Sequence, residues 1–190
     1  NLVDAVGLLG KEGISTELHL IGGGDPKALC MMQDAISRNK SEKNFIFYHG
    51  NLTYEETLDW YRKADIFVFA DVSGSIQGDQ TRKLSTRPYI EDDEFIKYCK
   101  KINEISNRLY DEGIPMSYHE HMGTIIQTEN DVDRFMDHTN ENTFLLYDTG
   151  HLLFAQANYE RVLKNYIQKI NHVHCKDIRK EILENSLKND

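Results

Sequence analysis

The sequence predicts an α/β protein in which β-α units alternate and the strands form a parallel sheet. Short runs of β-branched and aromatic residues alternate with longer amphipathic stretches from one end of the chain to the other, and this order is typical of parallel strands joined by crossover helices. Each of the later apolar runs is followed directly by a polar cluster, as expected where strands end at the mouth of such a sheet. The content of 39% hydrophobic and 28% charged residues indicates a folded, globular chain.

Six strands are predicted from the short apolar runs. Each run is rich in Ile, Val, Leu, Phe or Tyr, as strands are, and is bounded by charged residues or by turn residues. In chain order the predicted strands are residues 17–21, 44–48, 65–72, 114–119, 143–147 and 170–174.

Six helices are predicted in the amphipathic stretches that alternate with these strands. In chain order they are residues 2–9, 27–38, 54–62, 92–110, 129–137 and 159–169. Thr53 precedes Glu55 and Glu56, so its side chain can cap the third helix while two negative charges lie in the first turn.

Residues 71–89 form the one long connection, and they are rich in Gly, Ser, Thr and Arg. The other connections are short. Long loops at the carboxyl ends of parallel strands are frequent positions of ligand-binding residues. We therefore expect this loop to contribute to a binding site.

Charge and cysteine content exclude several classes of function. The formal net charge is −9, from 31 acidic against 22 basic residues, so we expect neither nucleic acid nor an anionic membrane as a partner. No stretch approaches the roughly 20 apolar residues of a membrane span, and the opening residues lack the basic leader of a signal peptide. Cys30, Cys99 and Cys175 are far apart, which favours a reducing compartment, and the cytoplasm is the simplest interpretation.

Histidine and carboxylate residues follow three successive strands of the predicted sheet. Because the carboxyl ends of adjacent parallel strands converge, these residues form a plausible site for manganese, cobalt, iron or zinc. The alternative for any single histidine is an ordinary hydrogen-bonded group at the end of a strand. The three clusters are His119, Glu120 and His121, then Asp148 and His151, and finally His172 and His174.

Four strings in this order, DVSGSIQGD, YHEHMGT, DTGH and HVHCKD, resemble myo-inosose-2 dehydratase, a member of the xylose-isomerase-like TIM-barrel superfamily. The resemblance covers about residues 71–187. It implies a lyase of inositol catabolism that removes water from 2-keto-myo-inositol to give a trihydroxycyclohexane dione, with Mn²⁺ or Co²⁺ as cofactor. A divalent cation suits this reaction because it polarises the ketone and so acidifies the neighbouring C–H bond.

The resemblance also implies roles for individual residues. Asp148 and His174 resemble metal ligands, Glu120 is a third candidate beside His119 and His121, and a last glutamate ligand is expected beyond Asp190, so we expect this chain by itself to have little activity. His151 resembles a substrate-contacting histidine. The candidates for proton transfer are His151, His119 and Lys176. The candidates for binding substrate hydroxyl groups, with ordinary loop polarity as the alternative, are Ser73, Gln77, Asp79, Arg82 and His172.

Residues 1–70 contain LHLIGGGDP and FIFYHGNLTYEETLDWYRKADIFVFA, which resemble the Rossmann-like C-terminal domain of a retaining GT-B glycosyltransferase. We therefore predict a glycosyltransferase-like segment at 1–70 and a dehydratase-like partial, truncated TIM barrel at 71–190, packed as one body. A nucleotide-sugar glycosyltransferase fragment and an inert fusion fragment are the alternative functions. Exposed sheet edges favour self-association.

Overall fold

The computed structural model describes residues 2–23, 26–40, 44–76 and 81–188. Two residues of the GGGDP string, 24 and 25, therefore lie outside the described residues. The chain divides into two compact units, Asn1–Tyr61 and Arg62–Asp190. The third strand of the chain belongs to the second unit, so this division falls before that strand, whereas the predicted boundary at residue 70 falls within the predicted strand.

Strands and helices alternate through the described residues. The strands are β1 (Thr16–Ile21), β2 (Asn44–Gly50), β3 (Phe67–Phe69), β4 (Met116–His119), β5 (Thr143–Asp148) and β6 (Ile170–His174). The helices are α1 (Leu2–Lys11), α2 (Pro26–Asn39), α3 (Tyr54–Tyr61), α4 (Asp92–Asp111), α5 (Glu129–His138), α6 (Thr149–Phe154), α7 (Tyr159–Tyr166) and α8 (Lys180–Lys188). A short 3-10 helix, Leu84–Thr86, lies in the long connection.

The first unit is built on a parallel pair of strands, β1 and β2. One face of this pair packs against α1 and α2, where Val3, Ala35 and Ile36 are buried. Leu18 and Ile46 contribute to the same small core from the two strands. Leu20 and Tyr48 pack against the same core, and because side chains alternate along a strand, His19 and Phe47 lie on the opposite face.

The second unit is a parallel sheet with the strand order β3-β4-β5-β6. Met116 and Tyr118 of β4 point into the core between the sheet and its helices, where Phe135 and Val162 are fully buried. The ring of Tyr118 lies 4.2 Å from that of Phe135, between centroids. Since side chains alternate, Ser117 and His119 point to the other face of the sheet.

The predicted α/β class with parallel strands is confirmed, and each of the six predicted strands is present. The third strand is shorter than predicted, because within the described residues β3 pairs only with β4, over three residues. Two helices, α6 and α8, were not predicted. Helix α6 has six residues, which is too short for an amphipathic period to be recognised.

None of the described helices combines the length and the apolar character that a membrane span requires.

Candidate metal centre

The candidate site lies at the carboxyl ends of β4, β5 and β6, within the second unit. The pairing of β5 with β6 places Asp148 opposite His174, and the pairing of β4 with β5 places His119 opposite Leu146. Glu120 follows β4 directly. The parallel sheet therefore brings together the three clusters that the sequence separates by about 30 residues each.

Asp148 is the centre of the site, and its side chain is fully buried. Its Oδ2 atom lies 3.1 Å from His119 Nε2 and 3.1 Å from His174 Nδ1. The ammonium group of Lys176 also donates to this oxygen, and His151 Nε2 lies 3.7 Å away. Four nitrogen-bearing side chains therefore surround one carboxylate oxygen.

The start of α6 fixes the orientation of this carboxylate. Asp148 Oδ1 accepts hydrogen bonds from the backbone amides of Gly150 and His151, at 3.0 and 3.1 Å, and so caps the helix. A Cβ atom added to Gly150 would lie 2.6 Å from Cβ of Lys176. Glycine at this position thus allows the turn after β5 to approach the segment after β6.

The electrostatic surroundings keep Asp148 ionised. Burial by itself raises the pKa of this carboxyl group, but the hydrogen bonds from His119 and Lys176 outweigh burial and hold the pKa well below its ordinary value. An ionised carboxylate is the form that binds a cation.

Glu120 is a second carboxyl group at the site, and it is 1% exposed. Its Oε1 atom accepts a hydrogen bond from the backbone amide of Asp148, at 3.3 Å. Its Oε2 atom is buried and has no hydrogen-bond partner among the described residues. Burial first, and the charge of Asp148 second, raise the pKa of Glu120 well above its ordinary value. A buried oxygen without a partner is costly, and a bound cation is one way to satisfy it.

Histidine rings form one wall of the site. The rings of His121 and His151 lie 3.8 Å apart, between centroids, and His119 lies 5.1 Å from His151 and 4.9 Å from His174. Nδ1 of His121 donates to the carbonyl oxygen of Met122, at 3.0 Å, since a carbonyl only accepts. Burial, and then the neighbouring His121, lower the pKa of His151 to about 3. His151 is therefore neutral in the physiological range, which is the form that binds a metal or accepts a hydrogen bond.

The chemistry of these donors fits a divalent cation. His119, Asp148 and His151 each offer one ligand atom, and these atoms lie within 4.8 Å of one another. Imidazole nitrogen together with carboxylate oxygen suits manganese, cobalt, iron or zinc. The set shares Asp148 with the predicted ligands Asp148, His174 and Glu120, and it contains His119, the predicted alternative to Glu120. It also contains His151, which the resemblance implies for substrate contact and proton transfer. The three histidines lie near Asp148 Oδ2, and Glu120 accepts a hydrogen bond from the backbone amide of Asp148.

Three of the five predicted substrate-binding residues lie among the residues that the structure describes. The backbone amide of Ser73 donates to Asp71 Oδ1 at 2.9 Å, and Arg82 donates to the carbonyl oxygen of Thr86 at 3.1 Å. His172 lies beside His174, with ring centroids 5.3 Å apart. Gln77 and Asp79 lie outside the described residues. The roles of these five residues stay predictions.

Two features of the site were missed in the sequence. From the sequence, His121 is only an alternative ligand to Glu120, whereas in the structure its ring contacts that of His151, with the planes tilted by 44°. The contact of Lys176 with Asp148 was also not foreseen, because Lys176 was considered for proton transfer. The HEH and HCK strings place both residues after strands, but their contacts depend on the turn that begins α6.

Comparison with known families identifies a match over most of the chain. A family model described as a xylose isomerase-like TIM barrel matches residues 54–186. The match includes all of the site residues described above and begins before the second unit.

Several individual relatives are inosose dehydratases. The chain is 30% identical over 178 residues to an inosose dehydratase of Clostridium perfringens, a match that covers 86% of this chain and 60% of that protein. It is 35% identical over 123 residues to an inosose dehydratase of Yersinia enterocolitica, covering 63% of this chain and 41% of that protein. The chain thus spans about three fifths of the length of the first of these relatives. A match over 86% of the chain must include part of residues 1–70, and the glycosyltransferase resemblance of that segment finds no support in these comparisons.

A solved structure shows the same fold at low sequence identity. The probable 3-DHS dehydratase AsbF from Bacillus anthracis superposes with a TM-score of 0.55 at 13% identity, covering 95% of this chain and 69% of that one. At this identity the likeness concerns the fold alone.

Proposed function

Because the chain belongs to the xylose isomerase-like TIM barrel family, we propose that it carries the metal-dependent site of an inosose dehydratase. The proposed reaction is the dehydration of 2-keto-myo-inositol to a dione, as part of inositol catabolism. The observation that supports it most strongly is the buried, ionised Asp148 carboxylate surrounded by nitrogen donors from three strands. The relatives that carry the name inosose dehydratase favour this substrate over other ketones.

The proposed metal is Mn²⁺ or Co²⁺, and Asp148 is its central ligand. His174 and Glu120, implied by the family resemblance, and His119, which is close in the structure, are the other candidate ligands. The cation supplies Lewis-acid polarisation of the ketone when bound.

The remaining residues of the site suit proton transfer. We assign His151 as the base that removes the proton next to the ketone, because the family resemblance makes it a substrate-contacting histidine and because its Nε2 atom faces the lysine that completes the proton transfer. We assign Lys176 as the acid that donates a proton to the departing hydroxyl group, so that the carbon–oxygen bond breaks and water leaves. Lys176 Nζ lies 3.3 Å from His151 Nε2, so the proton taken by the base can return to the lysine after each turnover. Both groups touch the Asp148 carboxylate or lie next to it.

The test is a dehydration assay on the full chain with 2-keto-myo-inositol. Since we expect little activity from this chain by itself, the expected result is a low rate of dione formation that requires Mn²⁺ or Co²⁺ and is lost after chelation. Calorimetric titration with the same ions measures the site independently of turnover, which separates an incomplete enzyme from an absent metal centre. Dehydration at an undiminished rate after chelation, or no heat of metal binding, would contradict the proposal.

Replacing Lys176 with Met is expected to strengthen metal binding. The lysine ammonium donates to Asp148 Oδ2, and a cation at the same oxygen must displace it. A hydrogen bond to a charged group contributes about 1.5–3 kcal/mol, so we expect roughly a tenfold or greater increase in Mn²⁺ affinity. Calorimetry measures the change, and Lys180→Met, whose side chain is 87% exposed, is the control. Weaker binding in Lys176→Met would show that the lysine supports the metal instead of competing with it.

A further inference from the structure

The first unit contains a pair of histidines that the proposed dehydratase site does not use. His19 lies on β1 and His49 on β2, and His19 Nδ1 is 2.9 Å from His49 Nε2. Both side chains are half-buried. Two imidazole nitrogens that face each other at this distance share either a proton or a cation.

The imidazole rings of His19 and His49 lie beside an irregularity in the pairing of β1 with β2. The strands pair in register as far as Leu20 with Tyr48, but the next pair is Ile21 with Gly50. His49 is therefore an extra residue in β2 at this irregularity, and because it comes two residues after Phe47, the partner of His19, its side chain lies on the same face as His19. The result is that His49 stacks on His19, with ring centroids 5.1 Å apart and planes 13° from parallel.

Glu17 fixes the protonation of the pair. Its Oε1 atom lies 3.0 Å from His19 Nε2, and a carboxylate oxygen can only accept, so His19 carries its proton on Nε2. The Nδ1 atom of a neutral His19 then has a free electron pair and accepts from His49. A carboxylate that holds the far nitrogen of an imidazole in this way is the usual support of a metal-binding histidine.

Aromatic rings enclose the two imidazoles. The indole of Trp60, on α3, lies 4.3 Å from the ring of His19 and 4.7 Å from that of His49. The ring of Phe47, on β2, stacks on that of His19, with the ring centroids 4.9 Å apart. These contacts hold the rings in place, so binding a cation requires little ordering of side chains.

We propose that His19 Nδ1 and His49 Nε2 form a second site, for a late first-row divalent cation such as Cu²⁺, Ni²⁺ or Zn²⁺. Imidazole ligands favour these ions over Mn²⁺ and Mg²⁺. Two bonds of about 2.0–2.1 Å at a tetrahedral ion separate the nitrogens by roughly 3.3 Å, so the rings need to part by only a few tenths of an ångström. His49 moves its proton to Nδ1, and water completes the coordination shell.

Trp60 provides the readout, because it is the single tryptophan of the sequence. Cu²⁺ and Ni²⁺ quench the fluorescence of a nearby indole. We expect saturable quenching with one ion per chain in a protein without an affinity tag. The titration is made in the Asp148→Asn background, which removes the central carboxylate of the other site, so the result does not depend on the proposed dehydratase function. Mg²⁺ is expected to leave the fluorescence unchanged.

Two variants test whether the histidines are responsible. His49→Gln keeps an amide donor for His19 but removes the imidazole ligand, and we expect the dissociation constant for Cu²⁺ to rise about tenfold or more. His19→Asn is the second variant and should have the same effect. His138→Gln, at an exposed histidine of α5, is the matched control and should bind as before. Quenching that does not saturate, or that persists at the same affinity in both histidine variants, would overturn the proposal.

Discussion

Replacing Asp148 with Asn is expected to abolish metal binding in the second unit and, with it, the proposed dehydration. Asparagine keeps the size of the side chain but removes the negative charge. It also replaces one carboxylate oxygen, with its free electron pairs, by an NH2 group that only donates. In the position of Oδ2, this NH2 group would face nitrogen atoms of His119, His174 and Lys176 in place of the oxygen they now contact. We expect the Mn²⁺ affinity to fall about 100-fold or more, since even supporting residues of a metal site contribute about 10–100-fold.

Calorimetric titration of Mn²⁺ measures this loss, and circular dichroism shows whether the fold is kept. The check on the fold is needed because Asp148 also caps α6. His174→Ala does not touch that cap and should also weaken binding. Asp92→Asn, at a carboxylate that is 85% exposed, is the matched control and should bind normally. If Asp148→Asn bound Mn²⁺ within about threefold of the wild type, the metal centre would have to lie elsewhere.

The strand ends of this site could be predicted from the sequence for a simple reason. Asp148 and His174 each follow a short apolar run, and the rule that parallel strands converge at one edge brings such residues together without further information. The structure places them 3.1 Å apart, between carboxylate and imidazole. Alternation along β6 likewise places His172 beside His174.

What could not be predicted depends on local turns and on side-chain rotamers. Helix α6 follows β5 without a connecting residue, and only this turn makes Asp148 a helix cap and brings His151 onto His121. The irregular register at His49 could not be predicted either, because an extra residue in a strand leaves no signal in a string such as FIFYHG. The stack of His49 on His19 is therefore visible only in three dimensions.

Glu120→Gln is expected to separate the stability of the site from its metal binding. Burial, and then the charge of Asp148, raise the pKa of Glu120 well above its ordinary value of 4.5, so without a metal the folded state holds this proton to a higher pH than the unfolded state does. Glutamine is then a close neutral match. We expect the melting temperature of the metal-free protein to change little below about pH 4.5, where the folded and the unfolded state both hold the Glu120 proton. At neutral pH we expect the Mn²⁺ affinity to fall about 10–100-fold. Glu104→Gln, at an exposed position of α4, is the control.

The metal affinity and the stability of Glu120→Gln are also expected to depend on pH differently from those of the wild type. A metal that binds Glu120 must displace its proton, so the affinity of the wild type should rise with pH, and this rise should be smaller in Glu120→Gln. For the metal-free protein the raised pKa means that the folded state holds a proton which the unfolded state releases above about pH 4.5. The contribution of Glu120 to stability is therefore complete below that pH and is lost as the pH rises through the folded-state pKa. Since glutamine cannot ionise, the variant should become more stable than the wild type as the pH rises above about 4.5. A variant that instead unfolds more easily at every pH would mean that Glu120 is ionised and structurally paired before any metal arrives.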